Sequence, residues 1–121
     1  MADDIKLIVA GSRKFQDEYV FEQYLLAYLA KYEDLTIITG MATGPDMMAY
    51  DYAQFHDMPV LEFPADWNRF GKSAGYRRNA EMLKSGTHLL AFWDGHSKGT
   101  KNMIDIATKA GLNVTIILVT V

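Results

Sequence analysis

Five short apolar runs alternate with segments of a different hydrophobic period, and this alternation restricts the chain to one fold class. The runs are IKLIVA (Ile5–Ala10), LTIIT (Leu35–Thr39), PVLEF (Pro59–Phe63), THLLAFW (Thr87–Trp93) and NVTIILVTV, which starts at Asn113. They are continuous in apolarity, as strands covered on both faces should be. Between them the spacing turns helical. From about Asp17, Val20, Phe21, Tyr24, Leu25, Tyr28 and Leu29 recur at intervals of one, three and four. Further helices are expected from about Pro45 to His56, from about Tyr76 to Lys84 and from about Thr100. Met103, Ile104, Ala107 and Ala110 share a face of the last one, and Gly111 is placed to cap its end. The segment PADWNRFGKSAG, before the third of these, reads as irregular.

Strand and helix in strict alternation, joined by right-handed crossovers, give an α/β architecture. Its simplest form is an open doubly wound five-stranded parallel sheet, order 3-2-1-4-5, with helices on both faces. In that order the chain reverses direction between strands 1 and 4, and ligands bind at the carboxyl ends of those two strands. The loops emerging there are GSRKF and DGHSKGT.

The 121 residues suffice for one domain, 1–121, and carry a net charge of −3. That balance argues against a general nucleic-acid partner. Yet three windows (Gly11–Gln16, Trp67–Ala80 and Gly95–Ile104) hold eight of the twelve Lys and Arg residues and no Asp or Glu. If the fold gathers these windows, an acidic chain carries one basic pocket. Cysteine is absent, which excludes disulfides, thiolate metal sites and cysteine nucleophiles. No metal-ligand spacing appears among the histidines: His96 reads as an exposed loop residue, and His56 and His88 fall outside the pocket. The segment MADDIK lacks the features of a signal peptide, and the longest apolar run is too short to span a bilayer. A cytoplasmic protein with no membrane partner, no metal and no cofactor is expected.

The motifs then take on chemistry. In AGSRKF, Gly11 allows close backbone approach to a phosphate, and Ser12 and Arg13 supply donors; the plain alternative is a strand-to-helix turn. In TGMATGPD, Gly40 and Gly44 shape the turn, and Asp46 either favours the helix N-terminus or holds a ribose hydroxyl. Arg77 and Arg78 point about 100° apart on a helix, so one binds while the other is solvated or paired. Trp67 either stacks on a base or plugs the edge of the core, with plugging favoured. In DGHSKGTKNMI, Gly95 and Gly99 bracket a turn, with the Ser97 and Thr100 hydroxyls at a helix start whose dipole favours an anion. Tyr24, Tyr28, Met47 and Met48 are candidates for a homo-oligomer surface.

Taken together the residues resemble the SLOG superfamily, named for its Smf/DprA and LOG members, and most closely its short YspA-type branch in bacteria and phages. The resemblance runs from Ile5 to about Val119. It rests on Gly11-Ser12-Arg13 with Phe15, on Gly40, Gly44 and Asp46, and on Trp67. It continues through Gly71, Gly75, Arg78-Asn79 and Met82, then Asp94-Gly95, Ser97 and Gly99-Thr100. It implies a Rossmann-like domain for a small nucleotide-type or ADP-ribose-related ligand, held at these positions. LOG enzymes release the base from a nucleoside monophosphate, using an arginine in RKxxM and a glutamate in PGGxGTxxE. Arg78 falls on that arginine, Gly99 and Thr100 on the GT, but the glutamate position falls on Met103. Breaking an N-glycosidic bond develops positive charge that a carboxylate stabilises, and methionine supplies none. Arg78, Asp94 and Asp46 are the remaining catalytic candidates. Glu81, one turn from Arg77, pairs more simply with it. The expectation is therefore a nucleotide binder, with a diverged phosphoribohydrolase as the alternative.

Overall fold

The apolar runs become one parallel sheet in the computed structural model, which describes residues 4–121. Its strands are β1 (Asp4–Gly11), β2 (Asp34–Thr39), β3 (Val60–Glu62), β4 (His88–Trp93) and β5 (Asn113–Leu118), in the order β3-β2-β1-β4-β5. All four pairings are parallel, as the sequence leads one to expect. The helices are α1 (Glu18–Lys31), α2 (Pro45–Phe55), α3 (Trp67–Phe70), α4 (Ala74–Ser85) and α5 (Lys98–Lys109).

Alternation along β1 divides the core in two. Leu7 and Val9 turn to the face covered by Phe21 and Leu25 of α1 and Ala49 and Ala53 of α2. Ile8 and Ala10 turn to the other, against Met82 of α4 and Met103 and Ala107 of α5. Phe92 is fully buried, stacked on Phe15 and packed at a tilt on Phe21, with ring centroids 5.3 Å away in both cases. Each such side chain contributes about 1.5–3 kcal/mol of burial. Together they fix the carboxyl ends of β1 and β4 side by side.

Three boundaries differ from the sequence reading. The PADWNRFGKSAG segment is largely helical. Asp66 caps α3 by accepting from the Arg69 N–H at 3.1 Å, a 3-10 turn covers Gly71–Ser73, and α4 begins at Ala74 rather than Tyr76. The strand at PVLEF shrinks to three residues at the sheet edge; its Pro59 carbonyl still accepts from Ile37 N–H at 3.0 Å. Finally α5 begins at Lys98, so Thr100 lies in the first turn instead of capping it. Gly111 does follow the helix end with a φ of 84°.

The expected oligomer surface is only partly available. Tyr28 bonds Thr115 at 2.7 Å and, like Met48, packs on the chain's own core, whereas Tyr24 is exposed. No helix among the described residues is long and apolar enough to cross a membrane.

Candidate functional site

Where β1 and β4 end, the two loops are tied together by hydrogen bonds. Ser12 is buried; its N–H donates to the Phe92 carbonyl at 2.9 Å, and its Oγ accepts from the Asp94 N–H at 3.1 Å. A side chain at Gly11 would run into the Phe92 carbonyl oxygen at 2.6 Å, so glycine is needed where the strands close up. Asp94 turns its Oδ1 to the His96 and Ser97 N–H groups, at 2.9 and 2.8 Å. Those two amides hold its carboxyl below the usual range. Asp94 is therefore committed to shaping the loop. The Trp93 indole N–H anchors the loop's far end on the Ser97 carbonyl at 3.1 Å.

The first turn of α5 follows directly. Ser97 is its N-cap residue, with Oγ 3.2 Å from the Thr100 hydroxyl. First-turn amides of a helix lack intrahelical partners and sit at the positive end of the dipole, a setting suited to an anion. A side chain at Gly99 would meet open space, so the glycine leaves the approach clear.

Across from it stands Arg78 on α4. Its Nη1 donates to the Gly40 carbonyl at 2.6 Å, and its Nε to the Asn79 Oδ1 at 3.0 Å. Asn79, buried, in turn donates to the Gly99 carbonyl at 3.1 Å and to Asn102 Oδ1 at 3.0 Å. One chain of hydrogen bonds thus links β2, α4 and α5. Burial lowers the Arg78 pKa; Asp46 opposes this and Arg13 adds to it.

Asp46 is only 5% exposed, yet among the described residues it has no ion pair within 4 Å. Its Oδ2 accepts from the Ala42 N–H at 3.4 Å. Desolvation pushes its pKa up to about 7, against the pull of Arg78, the Ala42 amide and Arg13. A carboxyl so placed switches between hydrogen-bond donor and acceptor near neutral pH.

These groups border a cleft of about 670 Å³ at the switch point. It brings together Gly11, Ser12, Arg13, Asp46, Trp67, Arg78, Asn79, Asp94, Ser97, Gly99 and Thr100 from the sequence expectation. Gly40, Gly44 and Gly95 are not on its wall. Gly40 lies behind Arg78, on a smaller cleft. Gly44, with a φ of 90°, leaves room for the Ser12 carbonyl, and Gly95, with a φ of 84°, only shapes its turn.

Four of the eight clustered cations line the cleft: Arg13, Lys14, Lys72 and Arg78. Three of the others are engaged elsewhere. Arg69 and Arg77 lie over the Phe70 ring, at 4.9 and 4.4 Å, and Lys101 pairs with Asp105 at 2.7 Å. Arg77 donates to Ser73 Oγ rather than to Glu81, which pairs with Lys84 at 3.2 Å. Trp67 does not plug the core: it is 48% exposed, with the Arg13 guanidinium 5.5 Å from its ring centre. Of the other wall residues, the sequence pointed to Met82 only through the family resemblance and to Lys72 only through its basic window, and it did not single out Tyr76. Met82 stands four residues after Arg78 and so shares its helix face, a signal that was there to be used. Among the described residues no group of His, Asp and Glu is arranged to hold a metal ion.

Fold and site define a doubly wound α/β protein with an anion-suited cleft at its switch point. The chain belongs to the YspA, cpYpsA-related SLOG family, whose family model matches residues 5–70. It is similar to the Gene 61 protein of Mycobacterium phage D29, 34% identical over 117 residues, which covers 90% of this chain and 93% of that one. In fold it is similar to the DNA processing protein A (DprA) of Streptococcus pneumoniae, with a TM-score of 0.78 at 16% identity. That likeness covers 97% of this chain and 51% of the other, so the chain spans about half the length of that structure.

Proposed function

We propose that the chain binds a nucleotide or an NAD- or ADP-ribose-derived metabolite in the switch-point cleft and either senses it or sequesters it. Ser12, Arg13, Ser97, Gly99 and Thr100 hold phosphate, Asp46 holds a ribose hydroxyl, and Arg78 clamps a phosphate or the ribose edge. The observation that carries this reading is the facing of two elements across one cleft: the first turn of α5 and the guanidinium of Arg78. An anion between them meets helix amides on one side and a fixed cation on the other. A sequestering role suits the phage origin of the similar protein. Copies of the chain associate through the exposed side of α1. A small molecule is favoured over nucleic acid as the ligand, since Arg69, Arg77 and Lys101 of the eight clustered cations are engaged away from the cleft.

The test is equilibrium dialysis of the protein against the common nucleoside monophosphates and NAD at moderate salt. Saturable retention that is lost in Arg78→Ala supports the reading, and no retention of any of them overturns it.

A second reading, an N-glycosidase on nucleoside monophosphates, is favoured by one observation: Asp46 lines the cleft with its pKa raised to about 7. A carboxyl protonated to that extent is suited to protonate a leaving base. Asp94 is the poorer candidate, since two amides keep it ionised and occupied. Base release that survives Asp46→Asn removes this reading.

A further inference from the structure

The large cleft does not end at the Arg13–Trp67 wall. Behind it lies a smaller cleft of about 220 Å³ that shares Arg13, Ala42, Trp67 and Arg78 with the larger one. The two compartments differ sharply in chemistry. Apart from the shared residues, the large cleft carries Lys14, Lys72, Asp46 and Asp94. The small one adds only Gly40, Met41, Thr43, Pro64 and Ala65, none of which ionises.

Size and shape narrow what this annex takes. Whole drug-sized ligands occupy roughly 300–1,000 Å³, so about 220 Å³ suits one ring system and not a second nucleotide with its phosphates. Its shared wall is planar, an indole with a guanidinium 5.5 Å from the ring centre, and such surfaces stack on flat rings. Thr43 supplies the hydroxyl for an edge of the ring. Met41, at the annex rim, has a φ of 63°, a conformation costly for a side chain of this kind, and its N–H is held by Thr39 Oγ1 at 3.2 Å. Backbone held this way recurs at ligand sites.

We infer that the annex is a subsite for an uncharged ring joined to the far side of the phosphates, so that the favoured ligand is a pyrophosphate-linked, two-ringed nucleotide rather than a mononucleotide. The inference rests on the reading that the large cleft holds a nucleotide, and the experiment separates the two. Calorimetry is run with AMP, GMP, CMP and UMP, and with the dinucleoside pyrophosphate of each base. Ala65→Trp fills the annex, and Thr43→Trp does so from an exposed loop position where folding is little disturbed; circular dichroism checks both.

The expected result is a dinucleotide bound at least ten-fold more tightly than its mononucleotide, with that advantage lost in a folded tryptophan variant while mononucleotide affinity is unchanged. A dinucleotide that binds no better than its mononucleotide overturns the annex and leaves the nucleotide reading standing. So does an advantage that survives both tryptophan variants. If no mononucleotide and no dinucleotide binds, both readings fall.

Discussion

Arg78 Nη1 lies 2.6 Å from the carbonyl oxygen of Gly40, so a cation on α4 is fastened to the carboxyl end of β2, nearly forty residues earlier in the chain. The bond holds the guanidinium at one angle beside Asp46. A preset charge loses little freedom when a ligand arrives, which is why Arg78 and not its neighbour is assigned the clamp. Arg78→Ala is expected to weaken nucleotide binding by about 1.5–3 kcal/mol, the range for a charged hydrogen bond. Arg77→Ala, at an exposed position over Phe70, leaves affinity within about two-fold. Calorimetry on the two variants side by side checks the assignment.

Gly40 has a second role. A methyl group there would meet the Arg78 Nη1 and would stand 2.8 Å from both Arg78 Cζ and Asp46 Oδ2. Gly40→Ala is therefore expected to displace the arginine and cut nucleotide affinity at least as far as Arg78→Ala does. The sheet stays intact, which the unchanged far-ultraviolet dichroism of the variant will show.

Asp46 sets a pH dependence of stability. In the folded chain its carboxyl keeps a proton up to about pH 7, whereas its ordinary value is 3.8. Between those values the folded state binds more protons than the unfolded one, so stability falls as pH rises from about 4 to 7. The contribution is at most about 4 kcal/mol. Urea midpoints measured across this range are expected to decline in the native protein, and the decline is expected to flatten in Asp46→Asn.

Trp67 reports on the site because it lines the cleft and is half exposed. Of the two tryptophans, Trp93 is held by its indole N–H on Ser97 and is more enclosed. Nucleotide addition is expected to change the emission of the native protein and of Trp93→Phe. In Trp67→Phe most of that change disappears. A fluorescence titration of the three proteins measures it.

What could be read from the sequence follows from the reach of the signals involved. Strand order was legible because continuous apolar runs, strict alternation and crossover handedness are properties of whole segments. So was the meeting of Ser12 and Arg13 with Ser97, Gly99 and Thr100, which topology alone imposes. Side-chain direction was not. Eight cations in three windows suggested a wholly basic pocket, yet Arg69 and Arg77 settle on Phe70 and Lys101 on Asp105. Nothing in a charge count distinguishes a cation that faces a cleft from one that covers a ring. Trp67 was misread as a core plug for the same reason, since its exposure depends on a short helix started by Asp66. The buried state of Asp46 was equally invisible, because it depends on β2, α2 and α4 closing around it.

Mass spectrometry of captured compounds decides whether the cleft holds a nucleotide without cleaving it. The protein is incubated with a mixture of nucleotides and NAD-derived metabolites and filtered, and both fractions are weighed against a blank. One compound is expected to be depleted from the filtrate and recovered intact when the retained protein is denatured. A filtrate with every compound at its starting level, or one containing free base, would contradict it.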